Sequence, residues 1–375
     1  MSIGAGFSSK TAWKKEAAQS AYGTPIECGA NDQQPLITEG LSRDIEKELD
    51  NVIRHKAGYG QSDVIGKLIN GPITIEAVYR GIESLIVSAM GFSNYSASPQ
   101  SGGAEGVYKH TFELANNLHT QSWAAGDGIL AGSGYLAGDK KVRRGTLCID
   151  KSVSIWEVIS SMVQSMTISG DSKGVRIELD MLPYDLDRAS AVNDSSAAWS
   201  IINDDWLSIL FQDLDLRIDD YSDSVALTGD DAIGISAFEI KLENHLKMGK
   251  DSRSGVYIAE PGREAKRLVT GSFTIPRYEN DTFLDHCDAQ NALMAILKFT
   301  GSQIGATGYY RTFWIWLPTI KFDKVDAPMG GPGIIPVEHT FTCELPAACP
   351  QGFPAQATKE MVIQVQNGLS TNPLI

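Results

Sequence analysis

One series of elements is written twice in this chain. In the first pass Gly71-Pro72-Ile73-Thr74-Ile75 leads through a short polar link into a helix-like stretch ending Ser88-Ala89-Met90-Gly91-Phe92, and Lys109-His110-Thr111-Phe112-Glu113-Leu114 follows. In the second, Thr270-Gly271-Ser272-Phe273-Thr274-Ile275 leads into a helix-like stretch ending Leu297-Lys298-Phe299-Thr300-Gly301, and Glu338-His339-Thr340-Phe341-Thr342-Cys343-Glu344-Leu345 follows. Residues 39–49 and 235–246 stand in the same place ahead of each unit. Every single match is short, so the shared order is what constrains the fold: the chain is expected to build one unit twice. Its 375 residues, 42% of them hydrophobic, are enough for two domains, each with its own core.

The units read as β. Val175-Arg176-Ile177-Glu178-Leu179-Asp180-Met181 places its apolar residues on one face and its charges on the other, as in a half-buried strand, and Phe238-Glu239-Ile240-Lys241-Leu242-Glu243 repeats the pattern. Segments 64–79, 107–114, 162–169, 206–218, 266–276, 309–322 and 335–345, rich in β-branched and aromatic residues, are further strands. Helical spacing is confined to two places. Ile82, Leu85, Ile86, Ala89 and Met90, closed by Gly91, give a short helix; Phe283, Leu284, Cys287, Leu293, Met294, Ile296 and Leu297, closed by Gly301, give a longer one. Leu41, Ile45, Leu49, Val52 and Ile53 also recur at helical spacing among good helix formers, but the repeat assigns this segment to a strand. The expected chain is mainly β, with one flanking helix in each half.

Charge and cysteine usage narrow the function. A net charge of −14 argues against a sequence-reading nucleic-acid binder, which needs clustered Lys and Arg to neutralise phosphates. The acidity is concentrated: residues 180–231 hold thirteen Asp, no Glu, and only Arg188 and Arg217 as cations. Such a stretch serves as solvated turns and caps, or as a surface that repels a polyanion; Asp204, Asp205, Asp213, Asp215, Asp219, Asp220, Asp223, Asp230 and Asp231 are the candidates for that surface. Cys28, Cys148, Cys287, Cys343 and Cys349 are odd in number and never spaced C-x-x-C, which predicts reduced, mostly buried thiols. The polar first fifteen residues have no signal-peptide core, and no stretch is long and apolar enough to span a bilayer, so folding in a cytoplasm without membrane insertion is expected.

Enzyme motifs are thin. Gly170-Asp171-Ser172-Lys173-Gly174 satisfies G-x-S-x-G, but a nucleophile elbow needs a strand-to-helix turn, and here two alternating strands flank it, so a hairpin turn is expected. The glycines at 126, 128, 132, 134 and 138 do not make a dinucleotide fingerprint. His339 and Cys343 share a strand face without a second pair at ligand spacing, His286-Cys287 reads as packing at the core edge, and Asp219, Asp220 and Asp223 lack a calcium loop's spacing and closing Glu. No catalytic, cofactor or metal set emerges.

The run from Ala21-Tyr22-Gly23-Thr24-Pro25 through Thr38-Glu39-Gly40-Leu41 and Gly71-Pro72-Ile73-Thr74-Ile75 to Met90-Gly91 resembles the opening of two-domain tail tube proteins of long-tailed bacteriophages. Val269-Thr270-Gly271-Ser272-Phe273, Leu317-Pro318-Thr319-Ile320-Lys321-Phe322 and His339-Thr340-Phe341 resemble the second half; residues 115–230 carry the least of the likeness. The resemblance implies two tandem tail-tube-like β-barrel or sandwich domains, at about 36–230 (with an acidic insertion near 180–231) and 231–353. Arms would lie at 1–35 and 354–375, and the Gly-rich stretches 101–106 and 126–138 would be arms or surface loops. It implies a structural subunit of the virion tail without cofactors: homotrimeric, pseudo-hexameric rings stacked into a conduit for passing DNA, meeting a tape measure protein, a tail terminator and distal tail proteins. Another tail ring component (terminator, baseplate or contractile-tail tube) or a monomeric β-sandwich binding or adhesion module are the alternatives.

Overall fold

A computed structural model of the chain describes residues 9–16, 22–48, 62–99, 106–114, 144–200, 207–249, 255–259, 261–327 and 333–369. In the first half β1 (Lys10–Lys15), β2 (Gln33–Gln34), β3 (Leu36–Glu39), β4 (Ser42–Glu48), β5 (Asp63–Asn70) and β6 (Pro72–Glu76) lead to helix α1 (Glu83–Met90). Then come β7 (Gly91–Pro99), β8 (Tyr108–Leu114), β9 (Gly145–Asp150), β10 (Ile155–Asp171), β11 (Gly174–Leu182) and β12 (Asp185–Asp187). In the second half β13 (Leu214–Asp220), β14 (Ala232–Ile233), β15 (Ala237–Glu243), β16 (Leu246–Lys247), β17 (Gly262–Arg263) and β18 (Leu268–Ile275) lead to α2 (Thr282–Ala289), followed by β19 (Leu293–Gln303), β20 (Tyr310–Asp326), β21 (Val337–Cys343) and β22 (Val362–Asn367). The chain is mainly β, and every pairing between these strands is antiparallel.

The two halves share one pairing scheme. In the first, β1 pairs with β2 and β9, β9 with β10, β10 with β11 and β12, β11 with β6, and β6 with β3. In the second, β13 pairs with β14 and β19, β19 with β20, β20 with β21 and β22, β21 with β18, and β18 with β15. A two-stranded excursion interrupts each half at the same point, β4·β5 in one and β16·β17 in the other. The first half alone inserts a hairpin, β7·β8, after its helix.

Register makes the correspondence residue-specific. On β10 the pairing steps from Val158↔Leu147 to Ser161↔Gly145; on β20 it steps from Leu317↔Ala295 to Ile320↔Leu293. Two residues further along, Val163↔Met181 gives way to Ser165↔Asp180, and Phe322↔Phe341 to Lys324↔Thr340. Both irregularities recur with the same residue count on each strand. A bulge re-aims every side chain beyond it, so matching bulges hold matching faces toward the core.

The halves are fused rather than strung apart. β10 continues past its second bulge to pair with β15, from Ser165↔Glu243 to Gly170↔Phe238, and β22 returns to pair with β8, from Val362↔Glu113 to Asn367↔Tyr108. Gly170 permits the first junction, because a Cβ there would lie 2.3 Å from the Phe238 ring. One apolar cluster accordingly runs through both halves, from Ile73, Leu85 and Leu179 to Phe238, Phe299 and Phe322. A buried polar knot closes the second junction: the Asn367 amide donates to the Glu83 carboxylate (2.5 Å) and the Tyr79 carbonyl (2.9 Å), while its oxygen lies 3.2 Å from His110 Nε2.

Several elements differ from the sequence expectations. The longer helix is two elements: α2 stops at Gln290, in left-handed geometry (φ 53°, ψ 38°), and the apolar residues from Leu293 onward are strand β19. That strand is apolar on both faces, Leu293, Ala295 and Leu297 toward the main core and Met294 and Ile296 toward a second cluster with Phe353 and Val362, which mimics helical spacing. Helix α1 packs against β10 and β7, and Leu85, Ile86, Val87, Ala89 and Met90 are buried together with Glu83 and Ser88. Residues 10–15 and 362–367, within the expected arms, are strands of the sheet network, and β13 within the acidic stretch belongs to the second half's scheme. Within the 39–49 segment Ser42–Glu48 is β4, held against β5 from Ser42↔Asn70 to Glu48↔Asp63, while Leu49, Val52 and Ile53 lie outside the described residues. Among the described residues no helix is long and apolar enough to cross a membrane.

Two expected outcomes follow from this packing. Gly71 has φ 134° and a Cβ there would lie 2.2 Å from the Gly40 carbonyl oxygen, whereas Gly174, φ 118°, faces open space. Gly71→Ala should therefore cost about 2–4 kcal/mol in urea unfolding and Gly174→Ala about 1 kcal/mol. His339 stands where the first half has Leu179 (Phe273↔His339 against Ile73↔Leu179), stacked on Phe273 at 4.8 Å, and burial pushes its pKa down to about 4. The unfolded chain then binds a proton between pH 6.5 and 4 that the folded chain refuses, so stability should fall as pH drops through that window and level off below it. His339→Leu should remove this component from the pH dependence of thermal unfolding.

Candidate functional site: the polar face of the fused sheet

Strands β6, β11, the second half of β10, β15, β18, β21 and the end of β20 are consecutive neighbours in one sheet. Residues paired across an antiparallel ladder point to the same side, so the register traces rows across this surface. One row runs Glu76, Arg176, Ser169, Glu239, Ser272, Thr340, Lys324. The next runs Thr74, Glu178, Thr167, Lys241, Thr270, Thr342, Lys321, and a third contains Pro72, Asp180, Ser165 and Glu243. The intervening residues, among them Ile75, Ile177, Ile168, Ile240, Phe273 and Phe341, are buried in the core.

These rows contain no aromatic residue. With Asp326↔Glu338 at their edge, the carboxylates of Glu76, Glu178, Asp180, Glu239, Glu243, Asp326 and Glu338 outnumber the cations Arg176, Lys241, Lys321 and Lys324. Several cations are neutralised at short range: Lys241 by Glu243 (2.5 Å), Lys321 by Glu344 (2.9 Å), and Lys324 by Asp326. The Glu243 pair also raises the Lys241 pKa. Ser165 donates to Asp180 (2.6 Å), and Thr342 to Asp323 (2.7 Å). The surface is thus a broad, polar, weakly acidic wall.

The candidate aspartates that are described lie along β13 and in the turns beside it. Asp204 and Asp205 lie outside the described residues. Asp213 ends a short 3-10 turn beside β13, Asp215 forms an ion pair with Arg217 (2.7 Å) and faces Lys298 in the register, and Asp219 and Asp220 end β13, with Asp220 3.7 Å from His286. Asp223 is exposed, and Asp230 and Asp231 form a 3-10 turn in which the Asp231 carboxylate accepts from the Thr228 N–H (2.6 Å). Capping and local pairing explain them. The acid-rich wall is built by other residues, and its signal was the strict alternation in 175–181 and 238–243.

The remaining motifs are structural. Ser172 and Lys173 form the exposed two-residue turn between Asp171 and Gly174, a hairpin with no helix beyond it. His339 and Cys343 both point into the core, and burial pushes the Cys343 thiol above its usual range. Cys287 packs at the core edge and His286 sits with Asp220 and Asn291. All five cysteines are free; Cys28, Cys148 and Cys343 are buried, with Cys28 and Cys148 Sγ atoms 3.7 Å apart. Among the described residues no three His, Cys, Asp or Glu side chains are grouped to hold a metal. The stretches 101–105 and 126–138 lie outside the described residues.

No protein-family model matches the chain, and no curated protein matches it. The hairpin reading has a direct check: Ser172→Ala should change unfolding stability by less than about 0.5 kcal/mol, as an exposed turn position allows, and leave whatever the chain assembles into unaltered.

Proposed function

We propose that this chain is a self-assembling structural subunit without catalysis, the tube protein of a long bacteriophage tail, whose copies form rings stacked around a channel for DNA. The observation that supports the reading is the fusion of two halves with one pairing scheme into a single sheet whose free face is polar and net acidic. An enzyme or a binding module concentrates its chemistry in a recess. Here the distinctive surface is a wall, continuous across an internal repeat and able to extend from copy to copy.

A conduit for a polyanion must not hold it. Each Lys or Arg that neutralises a phosphate adds affinity through counterion release, and a long strand would meet many such contacts at once. Three of the wall's four cations, Lys241, Lys321 and Lys324, are engaged by neighbouring carboxylates, which weakens any grip on DNA. Three chains would give a ring of six repeats, and the ends of the stack would meet a tape measure protein, a terminator and distal tail proteins, with the whole forming part of the virion tail.

Negative-stain electron microscopy of the purified full chain tests the reading: hollow tubes are expected, rings that never stack would identify another ring component, and a monomer at all concentrations would overturn self-assembly. A second measurement tests the wall. Glu178→Lys with Glu239→Lys should make assembled tubes retain DNA in a salt-dependent manner, while wild-type tubes release it at the same ionic strength. Equal retention by both would place this face away from the channel.

A further inference from the structure

The internal junction shows how one repeat receives the next, and the second half repeats the receiving side with nothing docked on it. Beyond its second bulge, β10 is the strand against which β15 pairs. The corresponding stretch is Lys324 to Asp326 of β20 with Ala327 after it; Lys324 to Asp326 pair with β21 on one edge, and among the described residues no strand pairs with the other edge. The docking side is repeated as well. By register with β6 and β18, Phe238 corresponds to Glu39, Leu242 to Arg43 and Glu243 to Asp44. Among the described residues, 39–44 pair with β6 and β5 on one edge only: the Gly40 N–H donates to Pro72 O (2.9 Å), so alternation turns the N–H and C=O of Leu41 and Arg43 to the other edge. There the Leu41 N–H is held by its own neighbour, the Glu39 carboxylate (3.1 Å), a contact that a strand partner's carbonyl would replace.

A second place shows the same asymmetry. The Ala77 N–H donates to the Val175 carbonyl, and the strip Ala77 to Tyr79 is then capped by Leu207 and Ile209, residues that lead into the second half. Tyr278 makes the matching bond to Ile335, but the strip beyond it borders an open cavity of about 480 Å³ lined by Phe283, Val325 and His339.

We infer that the occupant is a second copy of this chain, docked so that Lys324, Val325, Asp326 and Ala327 of one copy pair antiparallel with Asp44, Arg43, Ser42 and Leu41 of the next. This register is the internal one carried forward, Ser165↔Glu243 becoming Lys324↔Asp44 and Ile168↔Ile240 becoming Ala327↔Leu41. It sets a lysine directly opposite an aspartate, both exposed in the single chain. The contact is head-to-tail, since each copy offers one edge and receives on the other, and such contacts close into a ring when the rotation permits.

The inference rests on the self-assembly reading and is separable from it. Full-length chains carrying Asp44→Cys with Lys324→Cys, the single variants, and the off-register pair Asp44→Cys with Asp326→Cys would be assembled and treated with oxidised glutathione. A ladder of covalent dimers and larger species on a denaturing gel is expected from the first pair alone. Assembly without a 44–324 ladder would overturn the register and leave self-assembly standing; failure of the wild-type chain to assemble would overturn both. Val325→Pro gives an independent check, because it blocks the open edge: a folded monomer with wild-type thermal unfolding is expected, and normal assembly of that variant would sink the proposal.

Discussion

The backbone ladder between β10 and β15 is the interaction on which the rest of this molecule depends. It turns two repeats into one sheet and carries the apolar core from one repeat into the other. It also aligns the outward residues of both halves into common rows. A ladder of this kind is specified by register, since a one-residue slip would exchange the faces and bring Glu239, Lys241 and Glu243 into the core. The Phe238 ring over Gly170 guards against that slip: it lies where a Cβ at position 170 would stand, 2.3 Å away.

Fusion changes what each half must do alone. Among the described residues, β3 and the tail of β20 are where the fused sheet ends, and an edge strand with unpaired N–H and C=O groups invites association. Charged residues lie along these edges, with Glu39, Arg43 and Asp44 on one and Asp323, Lys324 and Asp326 on the other. Charges of this kind discourage random pairing while permitting pairing in the register that matches them.

Much of this was legible in the residues. Alternation in 175–181 and 238–243 named the two faces of β11 and β15 correctly, because a solvated sheet face and a buried one impose a period of two. The repeat overrode helical propensity at β4, whose exposed Ile45 and charged neighbours gain their structure from β5 rather than from local preference. Helical spacing overextended the helix before β19, since an apolar stripe at 293–297 is compatible with a helix or with a strand covered on both sides, and the long-range cluster around Phe353 distinguishes them. The acidic stretch shows a related limit of composition. Composition locates carboxylates along the chain, but the partners that neutralise Asp215, Arg217 nearby and Lys298 across the ladder, are set by pairing. The bulges left no trace at all: Ser160 at one and Thr319 at the other have nothing in common that marks an extra residue.

The knot around Asn367 bears on the order of synthesis. Asn367 lies close to the C-terminal end of the described chain, yet it satisfies Glu83 and the Tyr79 carbonyl, groups made some 280 residues earlier. A ribosome releases the N-terminal half first. Until β22 emerges and lies along β8, that half holds a carboxylate and a histidine in its interior without their amide partner, a condition that buried polar groups tolerate poorly. The first repeat therefore waits for the last strand to complete it. A chain terminated before β22 would lack that strand, and with it the amide that bonds the Glu83 carboxylate and the Tyr79 carbonyl.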